Sequence, residues 1–194
     1  MGEVEGQIRS EEELDAEREA RRRAALAQIR QYPDPVLRMP ANDVEDVDES
    51  VSALAERMTK LMQEARGVGL AANQVGVLRR ILVYQTADEE PVTVLVNPRL
   101  VSASEEREVG EEGCLSLGAA TVVVPVERPV AVSVEATSAE GEPVVVEAEG
   151  LEARVIQHEL DHLDGVLTID RTTPDDRREA LAQLRPQPLL GPLA

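Results

Sequence analysis

Short valine-rich runs fill the middle of this chain, from residue 80 to residue 149, and they constrain its fold more than any other feature. β-Branched residues favour strands, and turn signals such as residues 88–91 and 140–143 separate the runs. Nothing helix-long lies between them, so antiparallel pairing is predicted. The predicted strands cover residues 81–84, 92–96, 121–126, 130–134 and 144–146, and the last two form a hairpin.

Helical patterns flank the strand-rich region on both sides. The first is charged, with acids early and arginines late as the helix dipole favours, and Ser10 is its candidate N-cap. Prolines 33 and 35 are expected to end it. The second carries apolar residues at helical spacing, and its methionines are interpreted as core. The predicted helices cover residues 10–29, 50–66, 151–163 and 173–185, and the third stops at Asp164-Gly165.

Length and charge narrow the class of protein. A chain of 194 residues suits one domain, which we place at residues 29–184, after a charged helical extension (1–28) and before a loose tail (185–194). The formal net charge of −18 argues against binding to nucleic acid or to an anionic membrane. A single cysteine, no signal-peptide pattern and no apolar run of membrane-spanning length favour the cytoplasm.

The only two histidines, His158 and His162, stand four residues apart in the third predicted helix. Residues at this spacing share a helix face, so both imidazoles can bind one metal ion. Glu159 lies between them, where a carboxylate can act on a water molecule near that metal. With Val155 and the more distant Leu151, this face is predicted to point inward.

Two histidines leave a catalytic metal site incomplete, because such sites usually have three protein ligands and one open position. No third histidine exists, so the third ligand is a carboxylate or Cys114. A lone cysteine is often simply a small buried residue. Beside the histidine pair, however, we favour Cys114 as a thiolate ligand for a borderline metal.

A further segment, residues 67–74, opens with Gly67-Val68-Gly69 and ends at Gln74. It lacks the preceding strand, third glycine and lysine of a phosphate-binding loop. A helix-terminating turn followed by small packing residues explains it as well, so these residues alone leave its role open.

Residues 67–74, 112–116 and 158–162 resemble the three signature motifs of the peptide deformylases, in order. Residues 33–38 also resemble the family's N-terminal segment, and the likeness to the compact bacterial members covers about residues 29–184. The family usually has a proline and a longer loop after Leu117, where this chain has Gly118-Ala119-Ala120.

The resemblance implies removal of the formyl group from N-formylmethionine at the start of nascent polypeptides, with transient ribosome contact. It implies that Cys114, His158 and His162 hold one divalent metal, typically Fe²⁺ with Zn²⁺, Ni²⁺ or Co²⁺ as substitutes. Glu159 would move the proton of the attacking water. The remaining implied roles are oxyanion stabilisation by the Gln74 side chain and the Leu115 N–H, backbone contact with the substrate by Gly69, and a methionine pocket of Val68, Leu151 and Val155.

Alternative interpretations of the same residues predict different chemistry. A zinc endopeptidase would take a downstream carboxylate such as Glu179 as its third ligand. A structural metal clip would need a fourth protein ligand, and an inactive relative would bind peptides without turnover. The expected architecture is α+β, with antiparallel sheets wrapped around a central metal-binding helix and further helices at the periphery.

Overall fold

The computed structural model describes residues 11–87 and 89–185. Ser10, the predicted N-cap, and most of the predicted tail lie outside these residues. In the described part of the chain four α-helices form, each close to a predicted segment. They are α1 (Glu11–Leu26), α2 (Glu49–Glu64), α3 (Gly150–Leu163) and α4 (Pro174–Gln183).

The strands form two antiparallel sheets, which confirms the predicted α+β class. One sheet has five strands in the order β1-β2-β3-β6-β7, and the other is the β4-β5 hairpin. The predicted β6-β7 hairpin is present, with Val134 opposite Val146. The strands are β1 (Gly69–Ala71), β2 (Ile81–Tyr84), β3 (Thr93–Ala103), β4 (Arg107–Gly113), β5 (Val123–Pro129), β6 (Ala131–Thr137) and β7 (Pro143–Glu149).

Helix α2 closes one side of the five-stranded sheet. Asp48 caps its first turn by accepting a hydrogen bond from the Val51 N–H, at 3.1 Å. Met58 and Met62 are fully buried, which confirms that they belong to the core. With β1 and β2, this helix surrounds one of the aliphatic clusters that form the core of a chain almost free of aromatics.

Helix α1 ends at Leu26, well before the prolines that were expected to stop it. The following backbone groups bind other segments instead. The Arg30 N–H donates to Gln74 O at 2.7 Å, and the Tyr32 N–H donates to Ser116 O at 2.9 Å. Long-range pairing of these donors, rather than proline, therefore sets the end of α1, because a helix would need the same N–H groups.

Helix α3 is the centre of the fold. It packs against strands of both sheets, and most of its side chains are buried. Its C-terminal stop is the predicted one, with Asp164 as C-cap and Gly165 at φ +75°. Leu151 was predicted to point inward, but it is 57% exposed because its side of the first turn is left uncovered, whereas Ala153 in the same turn is buried. Among the described residues, no helix has the length and apolar character needed to span a membrane.

Candidate metal centre and active site

The helix α3 presents His158 and His162 one turn apart on the same face, and their ring centroids are 5.0 Å apart. His162 is buried, and His158 is partly buried at the surface of a cleft. The central position of α3 therefore gives both imidazoles a shared and largely dry environment, as the spacing predicted.

Cys114 follows directly after β4 and is buried beside the histidines. Its Sγ lies 3.2 Å from Nε2 of His162, and one ligand atom from each of the three residues falls within 4.8 Å of the others. In residues 11–87 and 89–185, this trio is the only cluster of this kind. Glu179, the carboxylate of the peptidase alternative, is exposed on α4 and takes no part in it.

The donors fit a single divalent metal. One thiolate and two imidazoles are suitable ligands for Zn²⁺, Fe²⁺, Ni²⁺ or Co²⁺. Three protein ligands leave one position open, whereas the structural metal clip would need a fourth protein ligand that this cluster does not contain. The arrangement is therefore that of a catalytic site rather than a structural one.

Glu112 orients the imidazole of His158. Burial opposes its ionisation, but hydrogen bonds from His158 and Arg128 lower the pKa of Glu112 to about 2. The ionised carboxylate can only accept, so Nδ1 of His158 donates to Glu112 Oε2 at 3.0 Å. The other ring nitrogen, Nε2, keeps its lone pair for a metal. A carboxylate behind a histidine ligand is typical of metal sites.

The two imidazoles differ in basicity when no cation is bound. Burial lowers the pKa of His158, but hydrogen bonds with Cys114 and Glu112 outweigh it and raise this pKa well above 6.5. Burial and the neighbouring His158 lower the pKa of His162 well below 6.5. A neutral His162 beside the sulfur is already in the protonation state that metal binding requires.

Glu159 is buried against β1. Its Oε2 has no hydrogen-bond partner among the described residues. Burial raises the pKa of Glu159 to about 7, although the nearby His158 opposes this. Gly69 makes room for the carboxylate, since a Cβ at that position would lie 2.9 Å from Glu159 Cδ. A glutamate that titrates near neutrality and has a free oxygen is suited to proton transfer.

Gln74 and Leu115 offer hydrogen-bond donors on the other side of the sulfur. Oε1 of Gln74 accepts from the Ala71 N–H at 2.8 Å, and this bond directs the amide nitrogen to Ser116 Oγ (3.2 Å) and Cys114 Sγ (3.9 Å). The amide carries two hydrogens, and the long contact with Cys114 Sγ is the weaker of its two hydrogen bonds. The Leu115 N–H makes no hydrogen bond within the part of the chain that the structure describes.

A cleft of about 220 Å³ opens over these groups. Val155 forms a buried part of its wall, whereas Val68 and Leu151 lie exposed at its mouth. The structure thus brings all three predicted pocket residues to one cleft. The backbone N–H and C=O of Gly69 face the free edge of β1. Gly69 lies opposite Tyr84, but the hydrogen bonds to β2 alternate along the strand, and the Gln85 N–H donates to the adjacent Val68 O at 2.9 Å.

The loop after Leu117 forms part of the rim, through Ala120. Gly118, Ala119 and Ala120 have φ values of 61°, 56° and 65°, respectively. Left-handed backbone is unfavourable for alanine. This shortened loop is therefore held in a tight turn by its surroundings, including a hydrogen bond from the Ala120 N–H to Cys114 O (2.9 Å).

A buried ionic network behind the three candidate metal ligands was not predicted. Arg128 donates to both oxygens of Glu112, at 2.6 and 2.9 Å, and to Asp161 Oδ2 at 2.9 Å. Arg171 then binds both oxygens of Asp161. These ion pairs connect β4, which precedes Cys114, to α3, which carries the histidines. Asn73, just after β1, also contacts α3 by donating to the backbone oxygen of His162.

One signal in the sequence could have identified Arg128. Val124, Val126 and Arg128 alternate along β5 and all three point into the core. A charged residue at an inward position of a regular alternation needs a buried partner. Neither Glu112 nor Asp161 could have been chosen as that partner without the fold, because they lie 16 and 33 residues away in the chain.

Together, a helix with the HExxH pattern, a cysteine within reach of both histidines and a buried glutamate are the arrangement of a metallohydrolase. The family model for polypeptide deformylase matches residues 26–178. The chain belongs to the peptide deformylase family.

Individual relatives agree with this assignment. The peptide deformylase of Rhizobium meliloti is 48% identical over 141 residues, which are 71% of this chain and 80% of that protein. The peptide deformylase of Acidothermus cellulolyticus is 45% identical over 161 residues, 83% of this chain and 87% of that protein. This family membership, with the placement of Glu179, contradicts the endopeptidase alternative.

Solved structures show the same fold. The peptide deformylase of Legionella pneumophila superposes with a TM-score of 0.76 at 40% identity, covering 80% of this chain and 91% of that one. The Synechococcus elongatus enzyme, solved in complex with actinonin, has a TM-score of 0.76 at 38% identity, covering 80% and 85%.

Proposed function

We propose that this chain removes the formyl group from N-formylmethionine at the start of newly made polypeptides and releases formate. The observation that carries the proposal is the convergence of Cys114, His158 and His162 within 4.8 Å, with Glu159 buried beside them. These residues come from two elements far apart in the chain, and a cleft of suitable size for one side chain opens over them.

Cys114, His158 and His162 would hold the metal, and we propose Fe²⁺ as the native ion, with Zn²⁺, Ni²⁺ or Co²⁺ able to replace it. When bound, such an ion supplies Lewis-acid polarisation of the formyl group and makes a water molecule more acidic. The thiolate supports this assignment, because it suits soft-to-borderline cations and excludes Mg²⁺ or Ca²⁺ as natural occupants.

Glu159 would carry the proton in both halves of the reaction. As a base it takes a proton from the water that attacks the formyl carbon, and as an acid it gives that proton to the departing amine of methionine. Its free Oε2 and its pKa near 7 support both roles. A bound cation would lower this pKa by favouring the carboxylate form, so the residue would begin as a base.

Gln74 and Leu115 would stabilise the negative charge that develops on the formyl oxygen. The hydrogen bond from Ala71 fixes the Gln74 amide with its nitrogen toward Cys114, and the free Leu115 N–H adds a second donor. Donors held in place before the reaction need no reorganisation when charge appears. The loss of one such donor typically costs about 100-fold in rate or more.

Gly69 would align the substrate as an added strand on the free edge of β1. The methionine side chain would then enter the pocket of Val68, Leu151 and Val155. The catalytic domain is proposed to span residues 29–184, with residues 1–28 as an extension and 185–194 as a tail.

The proposed setting is the cytoplasm, where nascent chains with formylated ends are made. Contact with the ribosome is proposed to be transient, because a chain with a formal net charge of −18 offers little electrostatic attraction to RNA. Binding would then depend mainly on the nascent peptide itself.

Formate release tests the proposal. The full chain, loaded anaerobically with Fe²⁺ or Ni²⁺, should release formate from formyl-Met-Ala-Ser. Glu159→Ala should retain the metal and lose turnover, whereas the matched control Glu179→Ala should keep both. A metal-loaded protein that releases no formate would contradict the proposed activity and would favour an inactive peptide-binding relative. An active Glu159→Ala variant would contradict the proposed role of Glu159.

A further inference from the structure

Arg66 stands on the rim of the active-site cleft in a backbone conformation that is unfavourable for arginine. It follows Ala65, the C-cap of α2, and has φ +59°. The Gly67 N–H donates back to Met62 O at 2.9 Å and closes the helix end. This position normally favours glycine. A long charged side chain retained there, at the mouth of a binding cleft, suggests a role outside the turn itself.

The guanidinium of Arg66 is available to a ligand. It makes no hydrogen bond or ion pair within residues 11–87 and 89–185, and the side chain is exposed. The other arginine of the cleft, Arg154, is already bound by Glu112 and by the backbone oxygens of Val126 and Glu108, each at 2.9 Å. Arg66 is therefore the cleft arginine that can respond to substrate charge.

The direction of the cleft places Arg66 beside the downstream part of the substrate. Gly69 packs against Glu159, and the cleft is lined from there by Val68, Gly67 and Arg66 but not by Leu70 or Ala71. A substrate held along this edge therefore extends past Val68 and Gly67 toward Arg66. Arg66 lies in the turn that ends α2 and residues 66–68 are not a strand, so its place along the substrate follows from residue order. With the methionine at Gly69, the second substrate residue would lie beside Val68 and the third beside Gly67, next to Arg66 at the cleft mouth.

We propose that Arg66 biases the enzyme toward substrates with an acidic side chain at the third residue. This inference rests on the proposed deformylase function and adds a specificity to it. Glu111 lies exposed in the wall of the same cleft, and its negative charge disfavours an acidic side chain on the substrate. The chain as a whole has a formal net charge of −18, which repels acidic substrates. Arg66 therefore supplies a local attraction for an acidic side chain that the overall field of the protein opposes.

The test compares kcat/KM for formyl-Met-Ala-Asp-Ala, formyl-Met-Ala-Asn-Ala and formyl-Met-Ala-Lys-Ala at low salt. Arg66→Gln should lower the Asp-to-Lys ratio by about two- to five-fold, the range expected of an exposed ion pair. Arg66→Glu should lower it further, and Glu111→Gln should raise it. The effect should fade near 0.5 M salt, where the Debye length falls to roughly 4 Å.

Two further variants make the outcome decisive. Arg57→Gln removes the same charge from the exposed face of α2, away from the cleft, and should leave the ratio unchanged. Arg66→Gly removes the guanidinium while relieving the unfavourable φ, and should repeat the fall seen with Arg66→Gln. If Arg66→Gln and Arg57→Gln have the same Asp-to-Lys ratio of kcat/KM, the proposed role of Arg66 is wrong and the proposed deformylase function is unaffected. Absence of formate from all three peptides would overturn the proposed function, and the inference with it.

Discussion

Nδ1 of His158 lies 3.0 Å from Oε2 of Glu112, a residue two positions before Cys114 on a different element of the fold. This single hydrogen bond connects the strand that leads to the thiol with the helix that carries both imidazoles. The Glu112 carboxylate is in turn held by Arg128 and Arg154. The geometry of the metal ligands is therefore set by a buried ionic network and not by α3 alone.

Replacing Glu112 with Gln should weaken metal binding by about 10- to 100-fold, the usual effect of losing a carboxylate behind a histidine ligand. The amide is similar in size, but it lacks the charge that fixes the His158 tautomer. Competition titration with a chromophoric chelator would measure the change. Glu111→Gln, on the same strand but exposed, is the matched control, and equal affinities for the two variants would be inconsistent with this role.

Removing Arg128 should destabilise the protein strongly. Arg128→Met would leave Glu112 and Asp161 buried close to each other without their shared cation, a loss expected to cost about 3–5 kcal/mol in free energy of unfolding. Denaturant unfolding would measure it. Arg107→Gln breaks an exposed ion pair with Glu127 on the same hairpin and should cost under about 1 kcal/mol. A similar small loss for Arg128→Met would refute the importance of the buried network.

Gly69→Ala should reduce deformylation by roughly 100-fold while the fold is kept, because small displacements of catalytic groups have effects of this size. The new Cβ would meet Glu159 Cδ at 2.9 Å and push the carboxylate from its position. Gly113→Ala is the control in the same cleft, since a Cβ there has its nearest neighbour at 3.5 Å. Steady-state kinetics on formyl-Met-Ala-Ser would compare them, and equal kcat values would rule out the steric role of Gly69.

Asp170 should make stability depend on pH in the acidic range. Burial opposes its ionisation, but the hydrogen bond from Arg38 outweighs this and lowers the pKa of Asp170 below 3.8. A lowered folded-state pKa gives stabilisation that is present above 3.8 and lost as the pH falls through the lower value. Asp170→Asn should thus reduce the free energy of unfolding at pH 7, and this difference should shrink as the pH falls below 3.8. A difference that does not change with pH would exclude a charge effect.

The helical placement of the two histidines and the class of fold could be predicted from the sequence because they depend on local patterns. His158 and His162 are placed by helical spacing, and valine-rich alternation identifies most strands. Strand β4 was missed because Glu112 is its only buried residue and the rest of the strand is polar or glycine, apart from the exposed Val109. Strand β1 was missed because three residues after a glycine turn give no periodic signal.

The buried network could not be predicted, since it consists of pairs between distant segments. Asp161 and Arg171 look like ordinary surface charges in the sequence, and only the packing of β5 on α3 makes Asp161 the shared partner of Arg128 and Arg171. Leu151 was also predicted to lie inside, because helical periodicity does not show whether another element covers the end of a helix face.

X-ray absorption at the metal edge tests the central claim most directly. For the zinc-loaded protein we expect one sulfur at about 2.3 Å and two imidazole nitrogens at about 2.0 Å, completed by a light oxygen scatterer. Cys114→Ser should remove the sulfur signal. A spectrum of the unmodified protein without sulfur, or with four ligands from protein side chains, would contradict the assignment of Cys114, His158 and His162 as an open catalytic metal site.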